Sequence, residues 1–237
     1  MQLFYHPDIH PGLEQATFSK EESRHMVRVL RKKKGDRIFI TDGRGNRYRA
    51  ELVADGDKRC EVRILGTEPV ADRKGYRLHI AMAPTKMNDR FEWFLEKCTE
   101  IGIDEITPIL CEHSERKKIN EERMGKVILS AMKQSLKYSL PRLNPLRRFE
   151  DLVSSANAEA RLIAHCEDEG KGVLPELIRD KEDLLILIGP EGDFSHREIE
   201  LALSSGFKGL SLGASRLRTE TAGVVACSQV SMIKEFL

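Results

Sequence analysis

Two polar turns hold the side chains that are best suited to chemistry. Residues 189–192 read Gly-Pro-Glu-Gly and place one carboxylate, Glu191, in otherwise bare backbone. Residues 212–222 place two arginines and a glutamate directly after a glycine. A threonine there could simply cap a helix, but a cap does not account for the charged cluster beside it. The two turns are therefore the candidate walls of a ligand-binding pocket.

The elements around the first turn predict how it is held. Residues 184–188 are Leu-Leu-Ile-Leu-Ile, which is typical of a strand that is buried on both faces. Ser195 and Glu198 form a capping-box pattern, so we expect a helix to begin there. In an open α/β sheet, ligands bind in loops at the carboxyl ends of strands. The loops at 84–86 and 164–167 end two further predicted strands, so four loops are expected to form one pocket.

The pocket is expected to be mostly backbone and apolar side chains. The sequence has no G-x-x-x-x-G-K-[ST] phosphate loop, and Gly43-Arg44-Gly45 lies in a predicted hairpin rather than before a helix. It also lacks the G-x-S-x-G elbow of many hydrolases. An uncharged heterocycle such as adenine therefore suits the pocket better than a triphosphate.

The chain of 237 residues has 39 basic and 38 acidic side chains, which gives a net charge of +1. No segment approaches the roughly 18 apolar residues that span a bilayer, and the start of the sequence lacks a signal-peptide pattern. The five cysteines form no C-x-x-C pair, and the seven histidines show no metal-ligand spacing. These features predict a cytoplasmic protein with reduced thiols, no membrane contact and no metal.

The pattern of elements changes near residues 68–75, where we predict a domain boundary between 72 and 73. Before it, a short helix over 23–30 and strands at 37–41, 48–54 and 60–65 predict a small barrel of antiparallel strands. After it, strands alternate with helices, which predicts an α/β domain with a parallel sheet and helices on both faces. The predicted helices there are 88–101, 120–138, the capped one after Ser195, and about 220–236.

Positive charge is concentrated in the N-terminal module. Residues 20–50 contain eleven basic and four acidic side chains, although the whole protein is nearly neutral. Such an excess on a small β module favours contact with a phosphate backbone over an ordinary solvated face. The candidate nucleic-acid-binding residues are Arg24, Arg28, Arg31, Lys32, Lys33 and Lys34 in this module, with Lys86 and Lys137 beyond it. A second basic cluster near 116–137 has the same potential, or is an ordinary solvent-facing surface.

The motifs together resemble those of a known family. Residues 189–192, Leu212-Gly213 and the run 217–222 (Leu-Arg-Thr-Glu-Thr-Ala) resemble the RsmE family of 16S ribosomal RNA (uracil-N3)-methyltransferases, in the SPOUT superfamily. Further matches lie upstream, at Lys86, Glu100-Ile101-Gly102, Pro108, Gln134-Ser135 and Leu140-Pro141. The resemblance covers essentially the whole chain, and the two turns at this spacing are its most specific part.

The resemblance implies an architecture, a cofactor and partners. Residues 73–237 would be a SPOUT domain with a trefoil knot, and residues 1–72 a PUA-like barrel that grips RNA. The protein would act as a homodimer on 16S rRNA of the small ribosomal subunit, with the active site near the subunit interface. S-adenosylmethionine would be held by ten residues: Ala164, His165, Ile188, Gly189, Pro190, Gly192, Leu212, Gly213, Leu217 and Thr219.

Methylation of a uracil at N3 requires that the imino proton leaves, because the neutral nitrogen has no free electron pair with which to attack. Glu220 or Glu191 would assist its removal, and Arg218 would stabilise the developing anion. Structural roles are the alternatives, since Glu191 could brace its turn and Glu220 could pair with Arg218. Two other functions also fit, namely a non-catalytic RNA-binding factor of ribosome assembly and a tRNA-modifying SPOUT methyltransferase.

Three positions depart from the family pattern. Asp193 stands where a third glycine is common, and Lys137 stands where arginine usually follows the Gln-Ser motif. Ser215-Arg216 replaces the usual Arg-Ile before Leu-Arg. Arg218 still matches the pattern, so we favour it over Arg216 for a functional role.

Overall fold

The computed structural model describes residues 2–70, 74–167 and 170–236. The chain divides into two compact units. The first comprises residues 1–72 together with 132–140, and the second comprises 73–131 and 141–237. The predicted boundary between residues 72 and 73 lies outside the described residues.

The first unit is built on a five-stranded sheet with the order β1-β3-β4-β5-β2. Its strands are β1 (Leu3–Tyr5), β2 (Gln15–Thr17), β3 (Arg37–Thr41), β4 (Asn46–Gly56) and β5 (Arg59–Pro69). The predicted hairpin is confirmed as the antiparallel pair β3/β4. The expectation of antiparallel strands throughout is wrong at one edge, where the short β1 pairs with β3 in parallel.

A short helical segment connects β2 to β3. Helix α1 (Lys20–Arg24) begins at Ser19, whose side chain accepts a hydrogen bond from the Glu22 N–H. A π-helical turn, His25–Val29, continues it. Met26 on this turn is fully buried with the apolar side chains of the sheet. The basic residues on either side of Met26 are left at the surface, as an amphipathic helix requires.

The segment 132–140 packs on the hairpin of the first unit. The Tyr138 carbonyl accepts hydrogen bonds from the Thr41 hydroxyl at 2.8 Å and from the Gly45 N–H at 3.0 Å. This contact joins residues that are about ninety positions apart, so no local pattern could predict it.

The second unit contains a parallel sheet of eight strands with the order β11-β13-β10-β12-β6-β7-β8, and β9 pairs with β7. The strands are β6 (Arg77–Met82), β7 (Glu105–Leu110), β8 (Arg142–Leu143), β9 (Arg147–Arg148), β10 (Ala160–Ala164), β11 (Lys171–Val173), β12 (Asp183–Ile188) and β13 (Lys208–Ser211). The helices are α2 (Asn88–Ile101), α3 (Glu121–Gln134), α4 (Phe149–Ser155), α5 (Leu174–Ile178), α6 (His196–Ser204) and α7 (Thr219–Phe236). The last three residues of α3 belong to the first unit.

Strand β12 is the centre of this sheet. It pairs in parallel with β10 on one side and β6 on the other, and residues 184–188 are all buried. Leu185 and Leu187 face the apolar cluster that includes side chains of α4 and α6. Helices α2 and α7 pack against each other, and α7 packs against β6 and β12. The α/β class and the strand buried on both faces are thereby confirmed.

Several elements differ from the predictions. Helix α3 ends at Gln134 rather than 138, because Leu136 adopts a left-handed conformation (φ 57°) that a helix cannot include. Helices α4 and α5 and the three-residue strand β11 were not predicted, since such short elements carry little periodic signal. None of the described helices is long and apolar enough to cross a membrane.

Candidate functional site

Three adjoining cavities lie at the carboxyl ends of the central strands in the second unit. The first cavity, about 430 Å³, is lined by residues 164–166, Lys171, 210–217 and Ala222. The second, about 380 Å³, is lined by Arg90, Ala164, Cys166, 188–191, Asp193, 216–219 and Ala222. The third, about 720 Å³, is lined by Asp89, Arg90, Trp93, 216–218, Glu220 and Thr221. Arg216 and Leu217 line all three, so the cavities form one continuous site.

The structure brings nine of the ten predicted cofactor-binding residues to the first two cavities. Gly192 is the exception, because it lines neither of them. A Cβ at this position would lie 3.3 Å from the Cβ of His113, in the loop after β7. Gly192 therefore allows close approach of two loops, which is a structural reason for a glycine there.

The shape of the turn after β12 depends on the glycine at position 189 and on a left-handed backbone conformation at position 193. A Cβ at Gly189 would lie 3.1 Å from the Phe194 ring, so the turn has no room for a side chain there. Asp193 has φ 63° and donates its backbone N–H to the Pro190 carbonyl at 2.9 Å. Aspartate is one of the few residues apart from glycine that tolerates this conformation. That is a physical reason why an aspartate can stand where a third glycine is common.

The helix after this turn begins as predicted. Ser195 caps α6, and both reciprocal hydrogen bonds of the capping box with Glu198 are present. The second oxygen of Glu198 accepts a hydrogen bond from the Glu112 N–H at 2.9 Å. The helix start is therefore tied to the loop after β7 as well as to its own turn.

Glu191 is exposed and bound to a neighbouring loop. Its Oε1 accepts a hydrogen bond from the Lys86 backbone N–H at 2.9 Å. Lys86 in turn places its Nζ 2.8 Å from Glu115, and its carbonyl accepts a hydrogen bond from Arg116. Glu191 thus braces the turn against the loop after β6, whatever else it does.

Glu220 lies in a different environment, at the start of α7. It is only 7% exposed, and its Oε2 is buried without a hydrogen-bond partner in the described structure. Arg90 on α2 approaches its Oε1 at 3.9 Å, whereas no salt bridge to Arg218 is recorded among the described residues. One oxygen of this carboxylate is therefore buried and unpartnered, in a residue that lines the third cavity.

Arg216 and Arg218 are both exposed, and neither makes a salt bridge within the described part of the chain. Gly213, with φ 129°, begins the turn that presents them. Two cationic groups without carboxylate partners, beside a carboxylate with a free oxygen, can bind an anion and accept a proton at the same place.

Arg90 and Trp93 on α2 belong to the site but were not predicted as site residues from the sequence. Both line the third cavity, and Trp93, the one tryptophan of the chain, is 42% exposed. Their signal in the sequence was their shared face of the helix, which adjoins the face of the buried Phe91 and Phe94. That pattern alone does not show which cavity such a face borders, because the packing of α2 on α7 decides it.

His165 lies on the wall of the first cavity. Burial lowers the pKa of its imidazole, with a further contribution from Lys171, so the ring is neutral at physiological pH. Its Nδ1 is buried and has no partner among the residues described. A neutral ring nitrogen in this position is available to hydrogen-bond a ligand in the cavity.

Six of the predicted RNA-binding residues lie on the π-helical turn of the first unit or within about five residues of it. All are exposed apart from Lys32, which is half-buried. Arg28 is ion-paired with Asp57. Lys137 belongs to the 132–140 segment of the same unit, whereas Lys86 belongs to the second unit.

No group of three or more His, Cys, Asp or Glu side chains that could hold a metal ion occurs in the described ranges. Four cysteines are buried, and Cys166, which lines the first two cavities, is exposed. Burial, with a contribution from Asp193, raises the pKa of the Cys166 thiol, so it is protonated at neutral pH.

Comparison with solved structures supports the fold over the full length. A probable rRNA-methyltransferase from Porphyromonas gingivalis is 43% identical, with a TM-score of 0.92 and 99% of each chain covered. A methyltransferase from Legionella pneumophila, solved in complex with the bound cofactor SAM, is 28% identical. Its TM-score is 0.87, and the match covers 97% of this chain and 96% of that one.

Curated relatives and family profiles agree with these structures. A protein of Bacillus subtilis named ribosomal RNA small subunit methyltransferase E is 26% identical, with 94% of this chain and 93% of the relative covered. A protein of the same name from Synechocystis is 28% identical, with 92% and 73% covered. The RNA methyltransferase PUA domain matches residues 18–65, and the RNA methyltransferase domain matches residues 72–231. The chain therefore belongs to the RNA methyltransferase family.

Proposed function

We propose that this protein transfers a methyl group from S-adenosylmethionine to N3 of a uridine in 16S rRNA of the small ribosomal subunit. The observation that carries the proposal is the buried, partly unpartnered carboxylate of Glu220 beside arginines, on the rim of a continuous cavity. Its relatives from Bacillus subtilis and Synechocystis are named small subunit methyltransferases, which supports the choice of RNA.

The first two cavities fit S-adenosylmethionine, which is present in the Legionella pneumophila relative. The first cavity includes the apolar side chains of Leu210, Leu212 and Leu217, which suit an adenine ring. The second cavity is more charged than the sequence predicted, because Glu191, Asp193 and Arg216 are among the residues that line it. The orphaned Nδ1 of His165 and the backbone groups around Gly189 and Gly213 would supply polar contacts. When bound, the cofactor supplies an electrophilic methyl group on a positively charged sulfur, which becomes a neutral thioether.

We assign the proton acceptor to Glu220. A neutral uracil N3 has no free electron pair for attack, so its proton must leave as the N3–carbon bond forms and the carbon–sulfur bond breaks. Glu220 has a buried oxygen available for that proton, whereas Glu191 already accepts a hydrogen bond from the Lys86 backbone. After the transfer, Glu220 would carry the proton and N3 would carry the methyl group.

Arg218 would stabilise the negative charge that develops on the uracil carbonyl oxygens. It is exposed beside Glu220 in the third cavity. Arg90 holds Glu220 from the other side, and the exposed ring of Trp93 offers a surface on which an unstacked base can lie. The third cavity would thus take the target nucleotide, and the second would take the methyl donor.

Two measurements test the activity. Calorimetry should show binding of S-adenosylmethionine by the folded protein; its absence would favour a non-catalytic ribosome-assembly factor. Mass spectrometry of small-subunit rRNA from a deletion strain should show the loss of one 3-methyluridine. Unchanged rRNA together with a lost methyl group in tRNA would instead favour a tRNA-modifying enzyme.

The basic residues of the first unit would bind the RNA backbone. Replacement of Lys33 and Lys34 by glutamate should weaken RNA binding and reduce its salt dependence, because phosphate contacts release counterions. Cofactor affinity should be unchanged. The matched control is Lys181→Glu with Lys208→Glu, two exposed lysines of the second unit. Equal loss of RNA and cofactor binding in the first variant would contradict separate roles for the two units.

We also infer, from the family resemblance, that the second unit is knotted and that the protein acts as a homodimer in the cytoplasm. Sedimentation equilibrium should give twice the mass of 27.0 kDa. A monomer that retains full methyl-transfer activity would overturn the dimer.

A further inference from the structure

We propose that Asp193 is a positioning residue that locks the loops around the second cavity in the shape that binds the methyl donor. The identity of the ligand in this inference rests on the proposed function. The hydrogen bonds of Asp193 do not depend on it. Asp193 is half-buried and lines the second cavity.

The side chain of Asp193 connects two loops. Its Oδ2 accepts a hydrogen bond from the backbone N–H of Cys166, in the loop after β10, at 2.8 Å. Its Oδ1 accepts one from the N–H of Phe194 in its own turn, also at 2.8 Å. Both carboxylate oxygens are therefore used to fix backbone groups, and each of these hydrogen bonds has an ionised acceptor, which makes it stronger than a neutral one.

The backbone of Asp193 connects a third loop. Its carbonyl oxygen is 3.0 Å from the Nδ1 of His113, in the loop after β7. A carbonyl can only accept, so Nδ1 carries the hydrogen in this contact. The close approach of Gly192 to the same histidine shows that the two loops are in contact there. One residue thus joins the loops that follow β7, β10 and β12.

These bonds bear on the cofactor because Cys166 and Ala164 line both of the first two cavities. The Cys166–Asp193 hydrogen bond sets the position of that wall relative to the turn after β12. A glycine at 193 would adopt the left-handed conformation equally well but could make neither side-chain bond. Aspartate meets both requirements, so this protein gains a connection that the common glycine lacks.

The test compares Asp193→Gly and Asp193→Asn with the unaltered protein. Glycine keeps the backbone conformation and removes both side-chain bonds, whereas asparagine keeps one acceptor oxygen. We expect S-adenosylmethionine to bind about tenfold more weakly to Asp193→Gly, because the hydrogen bond that joins the two cavity loops, from the Cys166 N–H, is lost. Asp193→Asn should lie between the two.

Hydrogen exchange at the Cys166 amide, measured without cofactor, reports the bond itself. Exchange should be faster in Asp193→Gly than in the unaltered protein. Leu136→Gly is the matched control, because Leu136 is also left-handed (φ 57°) but lies in the first unit. It reproduces the added chain flexibility of a glycine and should change neither cofactor affinity nor the exchange of Cys166.

Unchanged cofactor affinity or unchanged exchange in Asp193→Gly would overturn the role of Asp193. Weaker binding by Asp193→Asn than by Asp193→Gly would overturn it too, because asparagine keeps an acceptor oxygen that glycine lacks. If the unaltered protein binds no S-adenosylmethionine, the proposed function itself fails, and the cofactor role of Asp193 fails with it.

Discussion

At the amino end of the parallel sheet the polar side chains bond to one another, whereas at the carboxyl end several are left without partners. Glu105, only 7% exposed, is ion-paired with Arg77 and accepts a hydrogen bond from the Asn144 amide at 2.5 Å. That amide also donates to the Thr107 hydroxyl at 2.7 Å, and the His79 Nε2 contacts the same hydroxyl at 2.7 Å. The polar side chains of this amino-end network therefore serve as hydrogen-bond partners for one another.

The carboxyl end is built in the opposite way. The Nδ1 of His165 and the Oε2 of Glu220 are buried without partners in the described structure, and both residues line cavities. Buried polar groups are nearly always bonded, so exceptions that face a cavity indicate groups kept for a ligand. The polar groups at the amino end of the sheet therefore stabilise the fold, whereas those at the carboxyl end are kept for a ligand. Substitutions at the amino end should change the free energy of unfolding, and those at the carboxyl end should change binding or activity.

The largest effect is expected for Glu220→Gln. The amide has nearly the same shape but cannot take the imino proton, so methyl transfer should fall by about 10²–10⁴-fold. S-adenosylmethionine should still bind normally. Single-turnover transfer to small-subunit rRNA, with calorimetry on the same protein, measures both. Activity near that of the unaltered enzyme would remove Glu220 from its proposed role.

Glu105→Ala tests the other end. It removes the carboxylate that accepts from the Asn144 amide and pairs with Arg77, although Arg77 keeps Asp183 at 3.2 Å. The loss should lower the free energy of unfolding by about 1–3 kcal/mol. Denaturant titration measures this loss, and cofactor affinity should be unaffected. Glu14→Ala, at an exposed position of the first unit, is the control and should change stability by no more than about 0.5 kcal/mol. A fall in cofactor affinity with intact stability would contradict the division between the two ends.

The amino end should also make stability depend on pH. Burial lowers the pKa of His79 to about 4, while the unfolded chain has the ordinary value near 6.5. The unfolded state therefore binds the extra proton between these values, so stability is present above pH 6.5 and is lost as pH falls towards 4. His79→Gln should remove about 2 kcal/mol of the difference between pH 7.5 and pH 5.

Denaturant titrations at the two pH values check this result. The exposed His10→Gln serves as the control and should leave the difference unchanged. An identical pH dependence in His79→Gln would show that other groups cause the acid sensitivity.

The smallest effect is expected for Glu191→Gln. The amide oxygen can still accept the Lys86 N–H, so the turn should stay braced and methyl transfer should change by less than about threefold. Rates from the same single-turnover assay decide the matter. A loss as large as that of Glu220→Gln would give Glu191 a part in proton transfer and weaken the assignment of Glu220.

Local patterns in the sequence were enough to predict the elements that hold the site. The apolar run of β12, the capping box at Ser195 and the helical spacing of α2 each lie within about fifteen residues. A pattern of this length reflects burial and capping directly. The grouping of the loops after β10, β12 and β13 also followed from a general property of parallel sheets. Residues 84–86, which were expected in the same pocket, line none of the three cavities.

The remaining features depend on contacts between distant parts of the chain. Arg90 enters the site only because α2 packs on α7, and segment 132–140 joins the first unit through Thr41 and Gly45. The role of an aspartate at position 193 became clear only from its backbone φ angle and from the position of the Cys166 N–H. The local spacing of residues contains no signal for these contacts. The two turns could therefore be predicted from the sequence, but the contacts between loops could not.

The order of these connections along the chain affects how the protein is made. The turn after β12 is bonded to Lys86, His113 and Cys166, all of which precede it. The opposite wall of the cavities, residues 211–222, follows it. Because synthesis delivers the chain from its N-terminus, a nascent protein can assemble the braced loops before the cavity has its second wall. The ability to hold a ligand is thus acquired near the end of translation, once residues 211–222 have been added to the chain.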